Sequence, residues 1–392
     1  MRFNQDPLPL FPDSPDNNEW PSGPDETACA LELNTLNSFR TQFRKLRTRF
    51  KSFREILEAP LGKFLAIENW PDIYKQNFVE KKSRLIVGTE LGKIPEGIRI
   101  ITYFDPEYLE PLRDLFDPPP VLYVRGNISY NFKESLSIVG SRDSTDYGMM
   151  ITDQFSRQLS EWGFTIISGG ARGIDSTAHR AALDCGGKTI AVFGCGQDVI
   201  FPAENAKLFA RIAEKGMIIS EFPMGTIPEK FNFPARNRII AALGRGTLIV
   251  EAGEKSGALI TAELASQIGR DVFAIPGRLT DPLSKGTNML IADGAHPVSC
   301  PSEIAERFGL IVAPSNGELS ENVLETLNAD EAIVYESVGL EAKDLDSIVR
   351  EIGLPAQRVI SALLMLQTRN LVKELAGSRF VRPVNLRKFK SS

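Results

Sequence analysis

Glycine and arginine recur together where short apolar runs give way to helical patterns. Val139-Gly140-Ser141-Arg142 closes one such run, and Asp143-Ser144-Thr145 opens the helix that follows. Glycine lets a ligand approach the backbone, Ser141 offers a hydroxyl, and the forked Arg142 guanidinium suits phosphate. A tight turn carrying a surface arginine explains this triplet equally well. A second run ends in Ser168-Gly169-Gly170-Ala171-Arg172-Gly173-Ile174-Asp175. Glycines this dense at a strand-to-helix junction turn successive N–H groups toward an anion. The spacing is not that of the dinucleotide fingerprint, and no Gly-Lys-Ser/Thr follows to make a P-loop. A phosphate cradle is favoured over a structural turn because two glycine-plus-arginine loops follow consecutive strands. His179, one helical turn beyond Asp175, reads as a packed helix residue rather than a general base.

A third group is Lys230-Phe231-Asn232-Phe233-Pro234-Ala235-Arg236-Asn237-Arg238. Bases stack on aromatic faces while cations hold a backbone, so this mixture suits a single-stranded nucleic acid. One of the two phenylalanines is expected to be a core anchor. Further on, Glu251-Ala252-Gly253-Glu254-Lys255-Ser256-Gly257 is another small-residue turn entering a helix. It has the form of a phosphate seat, yet Glu251 and Glu254 would repel an anion that they faced.

These loops need elements to hold them. The strand candidates are Leu136–Val139, Phe164–Ile167, Thr189–Phe193, Met217–Ser220, Thr247–Val250 and Val272–Ile275. Near-continuous apolar strands suit a sheet covered on both faces. The intervening helical stripes, such as Ile174–Cys185, imply a Rossmann-like, doubly wound, mostly parallel α/β sheet with ligands beyond the C-terminal strand ends. Upstream, residues 27–98 read as a small helical domain. Its basic run (Arg40, Arg44, Lys45, Arg47, Arg49, Lys51, Arg54) is favoured as a solvated helix surface over a DNA patch. Asp114–Pro120, with three consecutive prolines, reads as a connector. After the 99–312 core, residues 318–383 suggest a winged helix: helices at Glu321–Leu327, Leu345–Ile352 and Pro355–Gln367, then a hairpin of Leu371–Leu375 and Arg379–Arg382. Residues 1–26 read as a disordered acidic leader and 384–392 as a basic tail.

The chain has 392 residues, 42% hydrophobic and 24% charged, which suggests two or three domains with real cores. Neither an apolar run long enough to span a bilayer nor a secretory signal is present, so a cytoplasmic protein without a membrane span is expected. The four cysteines are scattered and only two histidines exist, so neither a metal site nor a disulfide framework is expected. Net charge is −5, and its distribution is uneven: residues 27–133 hold 17 bases against 13 acids, residues 1–26 six acids and one base. No segment declares a partner by charge alone.

Taken together, Ile138-Val139-Gly140-Ser141-Arg142, Ser168 to Asp175, Phe233-Pro234-Ala235-Arg236-Asn237-Arg238, Ser256 to Ala262 and Val272-Phe273-Ala274-Ile275-Pro276-Gly277 resemble the DNA-processing protein A family (DprA, or Smf). Arg99 to Pro106 and Pro120 to Asn127 resemble that family's lead-in to its core. The resemblance implies a non-enzymatic bacterial protein, without cofactor, that binds single-stranded DNA, dimerises and helps load RecA recombinase in natural transformation. The implied DNA site is Gly140, Ser141, Arg142, Ser168, Gly169, Gly170, Arg172, Lys230, Phe233, Arg236 and Asn237. The implied dimer surface includes Leu290 and Ile291. Many relatives carry leucine where this chain has Gly170, so a looser loop is expected there. The helical domain resembles a degenerate sterile-alpha-motif domain without its Gly-Ile-Gly turn. From Glu318 to Arg382 eleven acids face seven bases, so the winged helix is not expected to read DNA. The alternative is a nucleotide-processing enzyme related to the lysine-decarboxylase-like phosphoribohydrolases, with Glu263 as its carboxylate; the Pro-Gly-Gly-x-Gly-Thr segment of those enzymes is absent.

Overall fold

The β-branched runs pair as the pattern requires. In the computed structural model, which describes residues 20–309, 327–339, 342–369, 371–375 and 377–382, nine strands form one sheet. They are β1 (Ile98–Thr102), β2 (Val121–Gly126), β3 (Ser135–Val139), β4 (Thr165–Ser168), β5 (Lys188–Phe193), β6 (Met217–Ser220), β7 (Gly246–Ile249), β8 (Asp271–Ala274) and β9 (His296–Pro297). Their order is β1-β2-β6-β5-β4-β3-β7-β8-β9. All pairings from β6 through β9 are parallel. Every residue of β3, β4, β6 and β7 is buried, as expected of strands sandwiched between helical layers. The chain leaves β3 toward β4 and later returns to β3's other edge as β7, which makes the β3/β7 boundary the switch point where such sheets bind ligands.

The helices of this core are α6 (Asp146–Glu161), α7 (Ile174–Asp184), α8 (Ala206–Lys215), α9 (Asn232–Leu243), α10 (Gly257–Gln267), α11 (Lys285–Ala292) and α12 (Pro301–Arg307). They follow α1 (Pro24–Asn34), α2 (Asn37–Arg49), α3 (Phe53–Glu58), α4 (Leu61–Leu65) and α5 (Asp72–Lys82).

Several expectations need correction. Strands β1 and β2, absent from the strand candidates, extend the sheet antiparallel beyond β6. The exposed Arg99 that interrupts the apolar run of β1, and the strand's edge position, explain why the pattern missed it. The acidic leader ends early: Trp20 is buried against Phe104, with ring centroids 3.9 Å apart, and α1 begins at Pro24. The helical region does not form a core of its own. Phe39, Phe43 and Phe53 pack in one cluster with Tyr103, Val121 and Ile219 of the sheet layer. Nor is the basic run a solvated surface throughout. Arg40, Arg44 and Arg47 lie half-buried over the rings of Phe222, Phe116 and Tyr103, at 5.5, 4.5 and 5.1 Å. Leu290, expected on a dimer surface, is 5% exposed and belongs to the core, with Ile291 half-buried beside it.

The C-terminal helices run Ala329–Ser337, Leu345–Ile352 and Ala356–Thr368, with strands Lys343–Asp344, Lys373–Leu375 and Arg379–Val381. Expected helix 321–327 falls almost wholly outside the described residues, as do 384–392 and most of the leader. A helix not expected begins at Ala329, because Asn328 and Glu331 form a reciprocal capping box. The hairpin is what docks this unit: Val381 and Leu375 join the second core cluster, while Lys373 and Arg379 pair with Asp153 and Asp146 of α6.

Candidate nucleic-acid interface

The two glycine loops are fitted into each other at the C-terminal ends of β3 and β4. Gly173 takes φ +69°, and a β-carbon there would strike the carbonyl oxygens of Ser141 and Arg142. Ser141 O accepts from Ile174 N at 3.2 Å, and Ser141 N donates to Glu251 O at 2.8 Å beyond β7. Arg142 and Arg172 are therefore carried on adjoining, mutually fixed turns, and both side chains are exposed. Gly170 does not loosen its loop. Its backbone is left-handed, Phe209 fills the space a side chain would take, and Asn205 Nδ2 donates to its carbonyl at 3.0 Å.

Much of the apparent anion cradle is already occupied by the protein's own carboxylates. The N–H groups of Gly169 and Ala171 both donate to Asp175 Oδ2, at 3.1 and 3.3 Å. Burial raises the Asp175 pKa, with the Arg236 charge opposing. Arg236 itself is 4% exposed. Its Nη1 donates to Gly169 O at 2.7 Å and to Val192 O, while its Nε donates to Asn237 Oδ1 at 3.2 Å. Burial pulls its pKa down to about 10, Asp175 again opposing, so it stays cationic at neutral pH. Arg236 thus braces β4 and β5 from within, and Ser168 does the same for β3 by donating to Ile138 O at 2.6 Å. Glu251 turns away from the surface. It is buried, and its Oε2 accepts from Thr145 N at 2.9 Å, which complements the positive end of α6. The repulsion expected of it does not arise. Glu254 pairs on the surface with Lys285 at 3.3 Å.

What remains outward is a cationic and aromatic rim. The Arg142 guanidinium lies over the Phe233 ring at 5.1 Å. Phe201, 42% exposed, lies 5.7 Å from Phe233, and the buried Arg236 guanidinium lies 6.0 Å from the same ring. Below Phe233 is Gly194, where a β-carbon would come within 3.0 Å of the ring. Lys230 is exposed and makes no ion pair among the described residues. Arg172 forms an ion pair with Glu204, both side chains being solvent-exposed. Asn237, half-buried, reaches Gly257 O at 3.4 Å. Of the eleven residues expected here, Gly140, Ser141, Arg142, Gly169, Gly170, Arg172, Phe233, Arg236 and Asn237 share one neighbourhood, with Lys230 at its edge and Ser168 beneath it.

Phe201 and Glu204 were not expected. Their signal is Gly194-Cys195-Gly196 closing β5, a glycine-bearing strand end like those of β3 and β4. His179 is fully buried, its Nδ1 2.7 Å from Thr189 Oγ1, as a packed residue should be. Glu263 stands exposed on α10 and accepts a hydrogen bond from Gln267. No helix among the described residues is long and apolar enough to cross a membrane.

Residues 99–309 match the family described as DNA recombination-mediator protein A, and residues 319–378 match the DprA winged helix domain. Protein Smf of Synechocystis is 36% identical over 318 residues, 72% of this chain and 80% of that protein. The DNA processing protein DprA of Streptococcus pneumoniae is 44% identical over 197 residues, covering 50% of this chain and 70% of the relative. The X-ray structure of DprA from that organism superposes with a TM-score of 0.63 at 34% identity, over 74% of this chain and 99% of the other.

Proposed function

The chain belongs to the DNA recombination-mediator protein A family, and from that premise we propose that it binds single-stranded DNA across the rim of Arg142, Phe233, Phe201, Arg172 and Lys230. The observation that carries the proposal is the stack of Arg142 on Phe233 beside an exposed Phe201, at the sheet's switch point. A base stacks on an aromatic face whatever its identity, and the arginines and lysine follow the phosphates. A duplex hides its bases and gains nothing from the rings. The buried residues of the site, Asp175, Arg236 and Ser168, hold the loops in shape for this and touch no ligand in the proposal.

Family membership supports three further parts of the proposal: action in DNA processing during recombination, delivery of the strand to RecA, and a homodimer. With Leu290 in the core, the exposed neighbour Met289 is the residue on that helix that a second copy would meet. The enzyme alternative would rest on Glu263, which is exposed on α10 and accepts a hydrogen bond from Gln267.

The test is a titration of single- and double-stranded oligonucleotides of equal length at two salt concentrations. Preference for the single strand is expected. Arg142→Ala should flatten the log–log salt slope by roughly 0.7 per lost phosphate contact. Phe233→Ala should cost about 1–3 kcal/mol of affinity. Equal affinity for duplex and single strand would sink the proposal.

A further inference from the structure

Beside the rim lies a cleft of about 450 Å³ between the helical region and the sheet layer, within the ~300–1,000 Å³ range of small-ligand sites. One wall is Asn37, Arg40, Glu90 and Lys93; the other is Phe222, Met224 and Phe231. Phe231 is 69% exposed and has no aromatic partner among the described residues. It sits between Lys230 and Phe233 in the chain, so its ring borders the cleft while Phe233, two residues on, borders the glycine loops.

The charges in the cleft cancel. Lys93 pairs with Glu90 at 2.6 Å. Arg40 is spent on Asn34 O, on Asn37 Oδ1 at 3.3 Å and on the ring of Phe222. Glu229 adds a carboxylate at the mouth. A phosphate would find no net attraction here. A flat, neutral heterocycle with donors and acceptors on its edge fits instead, with Phe231 for its face and Asn37, Glu90 and Lys93 for its edge.

We propose that this cleft takes a nucleobase of the same DNA strand, one that lies beyond the bases at Phe233. The occupant follows from continuity: Phe231 and Asn232 line the cleft, Phe233 of the rim is the next residue in the chain, and the exposed Lys230 beside them supplies a cation for the strand's phosphate. The helical region then becomes one wall of the DNA site rather than an appendage. This inference rests on the single-strand reading of the rim, and the experiment separates the two.

The full-length protein is titrated with an oligothymidylate of about four residues and one of about twelve. Phe231→Ala is expected to weaken the longer oligomer roughly tenfold, the worth of one stacked base, and to leave the shorter unchanged. Phe231→Trp restores the longer one. Asn37→Ala on the opposite wall weakens only the longer oligomer. Both side chains are exposed, so folding is not at risk. Equal losses for both oligomers would put Phe231 in the rim itself and overturn the cleft. So would no loss for either while Phe233→Ala still weakens both. Should Phe233→Ala change neither, the single-strand reading of the rim fails instead.

Discussion

The strand-end rim and the third helix of the winged unit (Ala356–Thr368) with its C-cap Arg369 each present two arginines beside apolar side chains, yet the two surfaces are wired differently. Arg142 rests on Phe233 and has no carboxylate within ion-pair distance among the described residues. On the winged unit, Arg358 is held by Asp330, with Nε 2.7 Å from Oδ2, and Arg369 by Glu331 at 3.1 Å. Ile360, Leu364 and Met365 are exposed beside them. A cation already paired in the same fold must break that pair to take a phosphate, whereas one lying on an aromatic face keeps its charge available. Residue type therefore says little about DNA contact; the partner each arginine already has says much. Arg236 and Arg238 show the extreme case. Only two residues apart, both are buried and spent, the latter on Glu221 through contacts of 2.5 and 2.7 Å.

The largest expected effect is at the buried end of this scale. Arg236→Ala leaves Asp175 without its buried counter-charge and should cost roughly 3–5 kcal/mol of stability, read by chemical denaturation. If affinity falls instead while stability holds, Arg236 belongs to the rim and the contrast breaks.

Acid should attack the interior before the rim. Burial lowers the His179 pKa from 6.5 to about 3, so the folded protein keeps the ring neutral while the unfolded chain protonates it below pH 6.5. The stability that a neutral His179 contributes is present above that pH. It is lost on descent toward pH 3, at up to about 1.4 kcal/mol per pH unit. Denaturation at stepped pH should show this slope, and His179→Gln should reduce it. An unchanged slope would remove His179 as its source.

A smaller effect tests the one rim cation that is paired. Glu204 holds Arg172 as a phosphate would, and exposed pairs are worth only about 0–1 kcal/mol. Glu204→Gln should raise single-strand affinity a few-fold, and the gain should vanish in an Arg172→Ala background. A gain that persists there would be a general charge effect, and the contrast between paired and open cations would lose its support. The smallest change is expected on the winged unit. Arg358→Ala with Arg369→Ala should leave single-strand affinity unaltered, and a clear loss would show that the winged helix reads DNA after all.

Local pattern was enough for the parallel sheet. Near-continuous apolar runs such as Met217–Ser220 are legible because a strand buried on both faces admits few polar residues, and those, like Ser220, are hydrogen-bonded within. The loops were legible too: glycine at a strand end marks a close backbone approach, and Gly173 needs its glycine for that reason. The edge strand β1 was not, because the exposed Arg99 interrupts its apolar run and its partner lies in another segment. Nor could the sequence divide Phe233-Pro234-Ala235-Arg236-Asn237-Arg238 into one half-buried ring at the rim and two buried braces. α9 presents one face to the sheet, and which side chains fall on it depends on carbonyls of β4 and β5 that arrive from far along the chain. The same holds for the basic run of α2, where Arg40, Arg44 and Arg47 found aromatic rings while Arg49 stayed exposed. Composition and spacing set which chemistry the chain carries; burial, a property of non-local packing, decided which of those groups remains free to meet a ligand.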